Sequence, residues 1–189
     1  MPLRPARQEI VLVSGPPGSG KTTLAIPLAT RLGFAFIAKD DIKETMFSAL
    51  GGVSGDAALS RRFGAAAMDV LWTLARRCPQ VVLDSNFRPE FSVPQLQGLD
   101  ASIVEVHCTC APDELVQRIT NRAAVRHAAH WDIEWLRRFP DGQAVIDAHG
   151  PIGVGEVVVV DTTRGVDVEA LAQQVSDALA AAARGSSSP

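Results

Sequence analysis

Residues 15–22, GPPGSGKT, match G-x-x-x-x-G-K-[ST] at every fixed position. The chemistry of that spacing is phosphate binding. Glycines let successive backbone N–H groups turn inward as an anion nest, and a helix starting where the motif ends adds its positive N-terminus. Gly15, Pro16, Pro17, Gly18, Ser19 and Gly20 are the expected cradle, with Thr23 just beyond it. Lys21 would set an ammonium on the β- and γ-phosphates, and the Thr22 hydroxyl would coordinate Mg²⁺.

Further chemistry-bearing residues follow. Asp84 ends the apolar run QVVLD and is a candidate Mg²⁺ ligand, directly or through water. Phosphoryl transfer to a hydroxyl also needs a carboxylate at the acceptor, positive charge on the γ-phosphate and a lid against water. KDDIKE at 39–44 supplies the carboxylate, with Asp40 nineteen residues after Lys21. Asp40 is the candidate base and Asp41 a helix cap, although one residue of register exchanges them.

Arg118, Arg122 and Arg126 are spaced by four, which on a continuous helix holds them near one face as a lid. Glu114 can pair with Arg118, so Arg122 and Arg126 are the better phosphate clamps. His127 and His130 read as lid or acceptor contacts, because two histidines three apart without a third ligand make a poor zinc site.

Alternating strands and helices must position these groups. EIVLVSG at 9–15, FAFIAKD at 34–40, QVVLDSN at 80–86, ASIVEVHCT at 101–109 and EVVVVDT at 156–162 read as strands. Helices are expected from Lys21 to Leu32, from a D-x-x-E capping box at Asp41 to about Leu50, from Asp56 to Arg77, from Pro112, and over 167–183. A short helix carrying Trp131, Trp135 and Leu136 and a loop over 140–155 complete the pattern. The two tryptophans, four apart, are either core or an acceptor platform. The fold expected is a three-layer α/β/α sandwich of the P-loop NTPase type around a mainly parallel five-stranded sheet. It would occupy residues 9–183, with the lid at about 118–131 and tails at 1–8 and 184–189. The carboxyl ends of the strands line the ligand crevice in such a sheet.

Composition bounds the function. The chain has 189 residues, 47% of them hydrophobic and 21% charged, which suits one globular domain. A net charge of -3 provides no broad attraction to nucleic acid or an anionic membrane. Apolar runs fall far short of the roughly 18 residues of a membrane span, and MPLRPARQE has no apolar secretory core. A cytoplasmic location is expected, with Cys78, Cys108 and Cys110 as reduced thiols.

The only lysines are Lys21, Lys39 and Lys43, so the N-K-x-D guanine reader of GTPase switches cannot be present. Their D-x-x-G is missing too, since Phe87 stands three residues after Asp84. Ser85 occupies the place where motor ATPases carry a water-activating glutamate. Transfer to an organic acceptor is therefore favoured over hydrolysis.

GPPGSGKTT, KDDIKE, VVLDSNF and ELVQRITNRAAVRH together resemble the P-loop kinases that include polynucleotide 5′-hydroxyl kinases, zeta toxins and chloramphenicol phosphotransferases. The resemblance spans roughly residues 9–127. It implies Asp40 as general base, Asp84 at the metal, Arg122 as a lid arginine, and Lys43, Asn86 and Arg88 on the acceptor side. It also implies that the loop after the last strand, with Thr162, Thr163 and Arg164, lies near the adenine. Lysine at 43 where arginine is common replaces a planar fork with a point charge. The function expected is ATP- and Mg²⁺-dependent phosphorylation of a small-molecule hydroxyl. The alternatives are a polynucleotide 5′-hydroxyl kinase and a regulatory module that binds ATP without an acceptor. The oligomeric state is left open.

Overall fold

A computed structural model describes residues 7–130 and 141–185. Trp131, Trp135 and Leu136 lie outside the described residues, as do 1–6 and 186–189. The described residues contain five strands, β1 (Gln8–Ser14), β2 (Ala35–Ala38), β3 (Gln80–Asp84), β4 (Ala101–Thr109) and β5 (Glu156–Asp161). Seven helices are described: α1 (Lys21–Leu32), α2 (Lys39–Ala49), α3 (Ala57–Ala75), α4 (Pro89–Gln97), α5 (Pro112–Ala123), α6 (Gly142–Asp147) and α7 (Val168–Gly185). The strands form one fully parallel sheet in the order β2-β3-β1-β4-β5.

Alternation along the strands builds the layers, because residues two apart share a face. Val11 and Val13 of β1 point with Val104 and Val106 of β4 toward Leu28 of α1 and Val175 of α7. Ile10 and Leu12 point the other way with Leu83 and Ile103, toward Leu71 and Trp72 of α3 and Leu96 of α4. With both faces covered, the central strands are apolar on both sides, as a parallel sheet requires. The chain leaves β1 for β2 on one side and crosses from β3 to β4 on the other, so β1 ends at a switch point where a crevice opens.

Local signals fix most boundaries. Gly33 caps α1 in the left-handed conformation, its N–H donating to Ala29 and Thr30. Asp56 caps α3 by accepting from the Leu59 N–H at 2.9 Å. Pro112 sits in the first turn of α5. The structure departs from expectation at several points: the third strand ends at Asp84 rather than at residue 86, and α4 is a helix not expected from the sequence. The second strand stops at Ala38 rather than at residue 40. The segment 140–155 carries a helix, α6, capped by the Asp141 side chain at Gln143 N–H. Residues 184 and 185 continue α7 instead of belonging to the tail.

Leu12 is fully buried in the layer between the sheet and α3. Leu12→Ala should cost about 2–5 kcal/mol of unfolding free energy through lost burial and a cavity, measured by urea denaturation at an unchanged m-value. A loss under about 1 kcal/mol would contradict this packing.

Candidate active site

The β1–α1 turn is built by glycines in left-handed conformations, Gly15 at φ 132°, Gly18 at φ 85° and Gly20 at φ 77°. Each is also crowded. A Cβ on Gly15 would lie 2.1 Å from the Cys108 carbonyl oxygen, and one on Gly18 would lie 2.8 Å from Ile119 Cγ1. Gly20 is the N-cap of α1 and offers no side chain, so the first N–H groups of the helix stay open to an anion. Lys21 Nζ donates to the Pro16 carbonyl at 2.8 Å, folded back over the loop. Burial pushes its pKa down, while Asp84 works in the opposite direction.

Thr22 Oγ1 donates to Asp84 Oδ2 at 2.5 Å. β3 lies beside β1 in register, Val13 opposite Asp84, and so delivers this carboxylate to the start of α1. Burial raises the pKa of Asp84, and Lys21 and the Thr22 hydroxyl oppose that rise. A hydroxyl and a carboxylate converging next to the nest are hard oxygen donors of the kind Mg²⁺ takes, so the residues fit that ion.

One cavity of about 370 Å³ joins most of the expected groups. Its walls include Gly18, Gly20, Lys21, Thr22 and Thr23 of the nest, Asp40, Asp41 and Glu44 of α2, Asp84 at the end of β3 with Ser85 and Asn86 beyond it, and Arg122, Arg126 and His130. A second cavity of about 420 Å³ shares Gly20 and Thr23 with it and is lined by Arg118, Thr162, Arg164 and Val166. Thr162 and Arg164 thus stand beside the nest, on the side away from Asp40. The Thr162 hydroxyl donates to the Ser19 carbonyl at 2.7 Å, tying β5's loop to the nest. Thr163 instead turns back to Asp161.

Asp40 belongs to the first turn of α2 and not to a strand end. The N-cap is Ala38, and no side chain caps the helix, so Asp41 does not form the expected capping box. The strand passes into the helix without a spacer, which leaves both aspartates inside the first turn, where the positive helix end favours carboxylates. Asp40 Oδ1 is 3.1 Å from Lys39 Nζ, and Oδ2 accepts from Arg126 at 2.6 Å. Against the upward push of burial, positive charge led by Lys39 and including Arg126 holds its carboxyl well below the ordinary carboxylate range.

The three arginines do not share a helical face. α5 ends at Ala123, so the chain turns before Arg126 and brings it to α2, where it meets Asp40 and, at 3.5 Å, Glu44. Arg122 faces the same cavity. Arg118 pairs with Glu114 at 2.7 Å and donates to the Thr162 hydroxyl and carbonyl. His127 and His130 hold residues 126–130 on α2. His127 Nδ1 accepts from the Ala129 N–H, leaving Nε2 to donate to Ser48 at 3.0 Å. His130 is 8% exposed, and burial pushes its pKa down to about 3, so its neutral ring donates from Nε2 to Glu44 at 2.7 Å.

Two expected acceptor contacts lie elsewhere. Lys43 is 7% exposed and points between α2 and α3, where it donates to Ser60 Oγ at 2.9 Å, and Ser60 in turn donates to the Ala129 carbonyl. Position 43 is on the face of α2 that packs on α3, with Phe47, which removes it from the cavity. Arg88 is 71% exposed and paired with Glu90, outside the cavity wall that Asn86 joins. Glu44 and Arg118 carry more of the site than their sequence positions suggested. The i, i+4 spacing of Asp40 and Glu44 was the available sign for the first.

A parallel sheet whose first strand runs into a glycine nest, with the neighbouring strand bringing an aspartate to the threonine after the nest lysine, defines a P-loop kinase fold. The chain belongs to the AAA domain family, which matches residues 10–139. A candidate kinase from Chloroflexus aurantiacus is 32% identical, with 90% of this chain and 98% of that one covered at a TM-score of 0.80. A gluconokinase from Sinorhizobium meliloti shares the fold at 20% identity, TM-score 0.55, covering 96% and 94% of the two chains. So does the Mycobacterium tuberculosis APS kinase CysC, solved with AMPPNP and APS, at 17% identity, TM-score 0.56 and coverage of 93% and 99%. No curated protein matches the chain. Among the described residues no helix is long and apolar enough to cross a membrane.

Gly15→Ala must relieve both a left-handed backbone and a 2.1 Å contact with Cys108. Strain of roughly 1–3 kcal/mol at this position should weaken binding of a nucleoside triphosphate by about five- to 150-fold. Isothermal titration with AMPPNP would measure it, and wild-type affinity would contradict the nest geometry.

Proposed function

We propose that the protein is an ATP- and Mg²⁺-dependent kinase that transfers the γ-phosphate to a hydroxyl of a small molecule. The observation that carries this reading is a single cavity lined by Gly18, Gly20 and Lys21 of the phosphate nest, by Asp40, and by the hydrogen-bonded Thr22–Asp84 pair. The solved structures of this fold support it, among them the candidate kinase at 32% identity and the APS kinase holding AMPPNP.

In this proposal the backbone N–H groups of Gly18, Gly20 and the first turn of α1, with the Lys21 ammonium, bind the phosphates, and the adenine takes the second cavity against Arg118, Thr162 and Arg164. Thr22 and Asp84 would hold Mg²⁺, which when bound neutralises charge on the β- and γ-phosphate oxygens. Arg122 and Arg126 add positive charge on the far side of the γ-phosphate. Asp40 accepts the acceptor's hydroxyl proton as the new O–P bond forms and the bond to ADP breaks. Lys39 and Arg126 both lower the basicity of Asp40, and Arg126 occupies its Oδ2, so in this proposal the guanidinium passes from that carboxylate to the phosphates before transfer. Net charge of -3 favours a small acceptor over a long polyanion.

Lys21→Ala should abolish ATP turnover. Asp40→Asn should keep ATP affinity within a few-fold of wild type and lower transfer about 10²- to 10⁴-fold, the usual contribution of a general base. Full transferase activity in Asp40→Asn would contradict the assigned base.

A further inference from the structure

Resting on the kinase reading, we propose that Asp40 and Glu44 form a two-carboxylate acceptor subsite in which the Arg126 guanidinium is a placeholder. The acceptor it recognises is a compact neutral or cationic polyol or amino alcohol, and Glu44 determines that specificity. The two residues are i and i+4 on α2, one turn apart, with Cβ atoms of such pairs about 5–6 Å from each other. Both line the cavity.

One planar donor group already spans them. Arg126 donates through one terminal nitrogen to Asp40 at 2.6 Å and sets the other 3.5 Å from Glu44 Oε1. Glu44 Oε1 is held in place by His130 at 2.7 Å, while Oε2 has no hydrogen bond among the described residues. A carboxylate oriented from behind and open in front is a ready acceptor for a second donor on the substrate. When Arg126 turns to the γ-phosphate, this wall is left with Asp40, Asp41 and Glu44 facing Lys39. Two donors on the incoming molecule would then replace the two guanidinium nitrogens: the hydroxyl to be phosphorylated on Asp40, and a second hydroxyl or an ammonium on Glu44. The exchange also vacates Asp40 Oδ2, the oxygen that Arg126 holds, for the hydroxyl of the acceptor. A carboxylate- or phosphate-bearing acceptor would meet like charge there and be rejected.

The test is ATP-dependent phosphorylation by wild type and Glu44→Gln across a panel of cyclitols, sugars, nucleosides and aminocyclitols, with sugar acids, sugar phosphates, monohydroxy alcohols and a 5′-hydroxyl oligonucleotide as counterparts. The expected result is turnover of polyols or amino alcohols by wild type, with acceptor KM raised about tenfold or more in Glu44→Gln and KM for ATP unchanged. Preference for an anionic or single-hydroxyl acceptor, or an unchanged acceptor KM in Glu44→Gln, overturns the subsite and leaves the kinase reading standing. Binding of ATP with no transfer to any member of the panel overturns both.

Discussion

Everything in the site depends on backbone amides held inward at the end of β1. Such a nest works only if its glycines stay left-handed and its surroundings leave no room for relaxation. β4 supplies one wall, through the Cys108 carbonyl against Gly15, and α5 another, through Ile119 against Gly18. Thr162 pins the Ser19 carbonyl from the β5 side. Beneath the loop, Ser14 donates to Glu105 at 2.5 Å, and that fully buried carboxylate also accepts from the Ile152 and Gly153 N–H groups. Three donors satisfy a charge that would otherwise be costly to bury. The same network joins the strand entering the nest to the segment before β5.

Against this fixed wall stands one held by hydrogen bonds and by the ion pairs of Arg126. α2 presents Asp40, Asp41 and Glu44, and residues 126–130 close on it through Arg126, His127 and His130. On the hidden side of α2, Lys43 reaches the Ala129 carbonyl through Ser60, beside the Phe47–Phe63 ring contact at 5.6 Å. The rigid half suits phosphate, whose charge is the same in every turnover. The polar half suits a step in which an arginine must pass from a carboxylate to a phosphate.

The nest, the five strands and Asp84 were legible because each is local: a spacing pattern, an apolar run, and an acid at its end. The course of α2 was less so. D-x-x-E looked like a capping box, but β2 feeds the helix directly from Ala38, a choice made by the sheet and not by the capping residues. The arginines misled for a similar reason, since a period of four implies one face only while the helix lasts, and α5 stops at Ala123. The family resemblance places Lys43 at the acceptor, whereas the packing of α2 on α3 turns it to Ser60. The ties of Arg118 to Thr162 and of His130 to Glu44 join residues 44 and 86 positions apart, which no local pattern encodes.

The central proposal is that the γ-phosphate lies between Lys21 and Asp40. A crystal structure with AMPPNP and Mg²⁺ addresses it directly. The predicted result is a triphosphate in the residue 15–20 nest, its terminal phosphate contacting Lys21 and facing Asp40, with Arg126 moved from the carboxylate to the phosphate. A terminal phosphate directed away from Asp40, or nucleotide bound outside the nest, would contradict it.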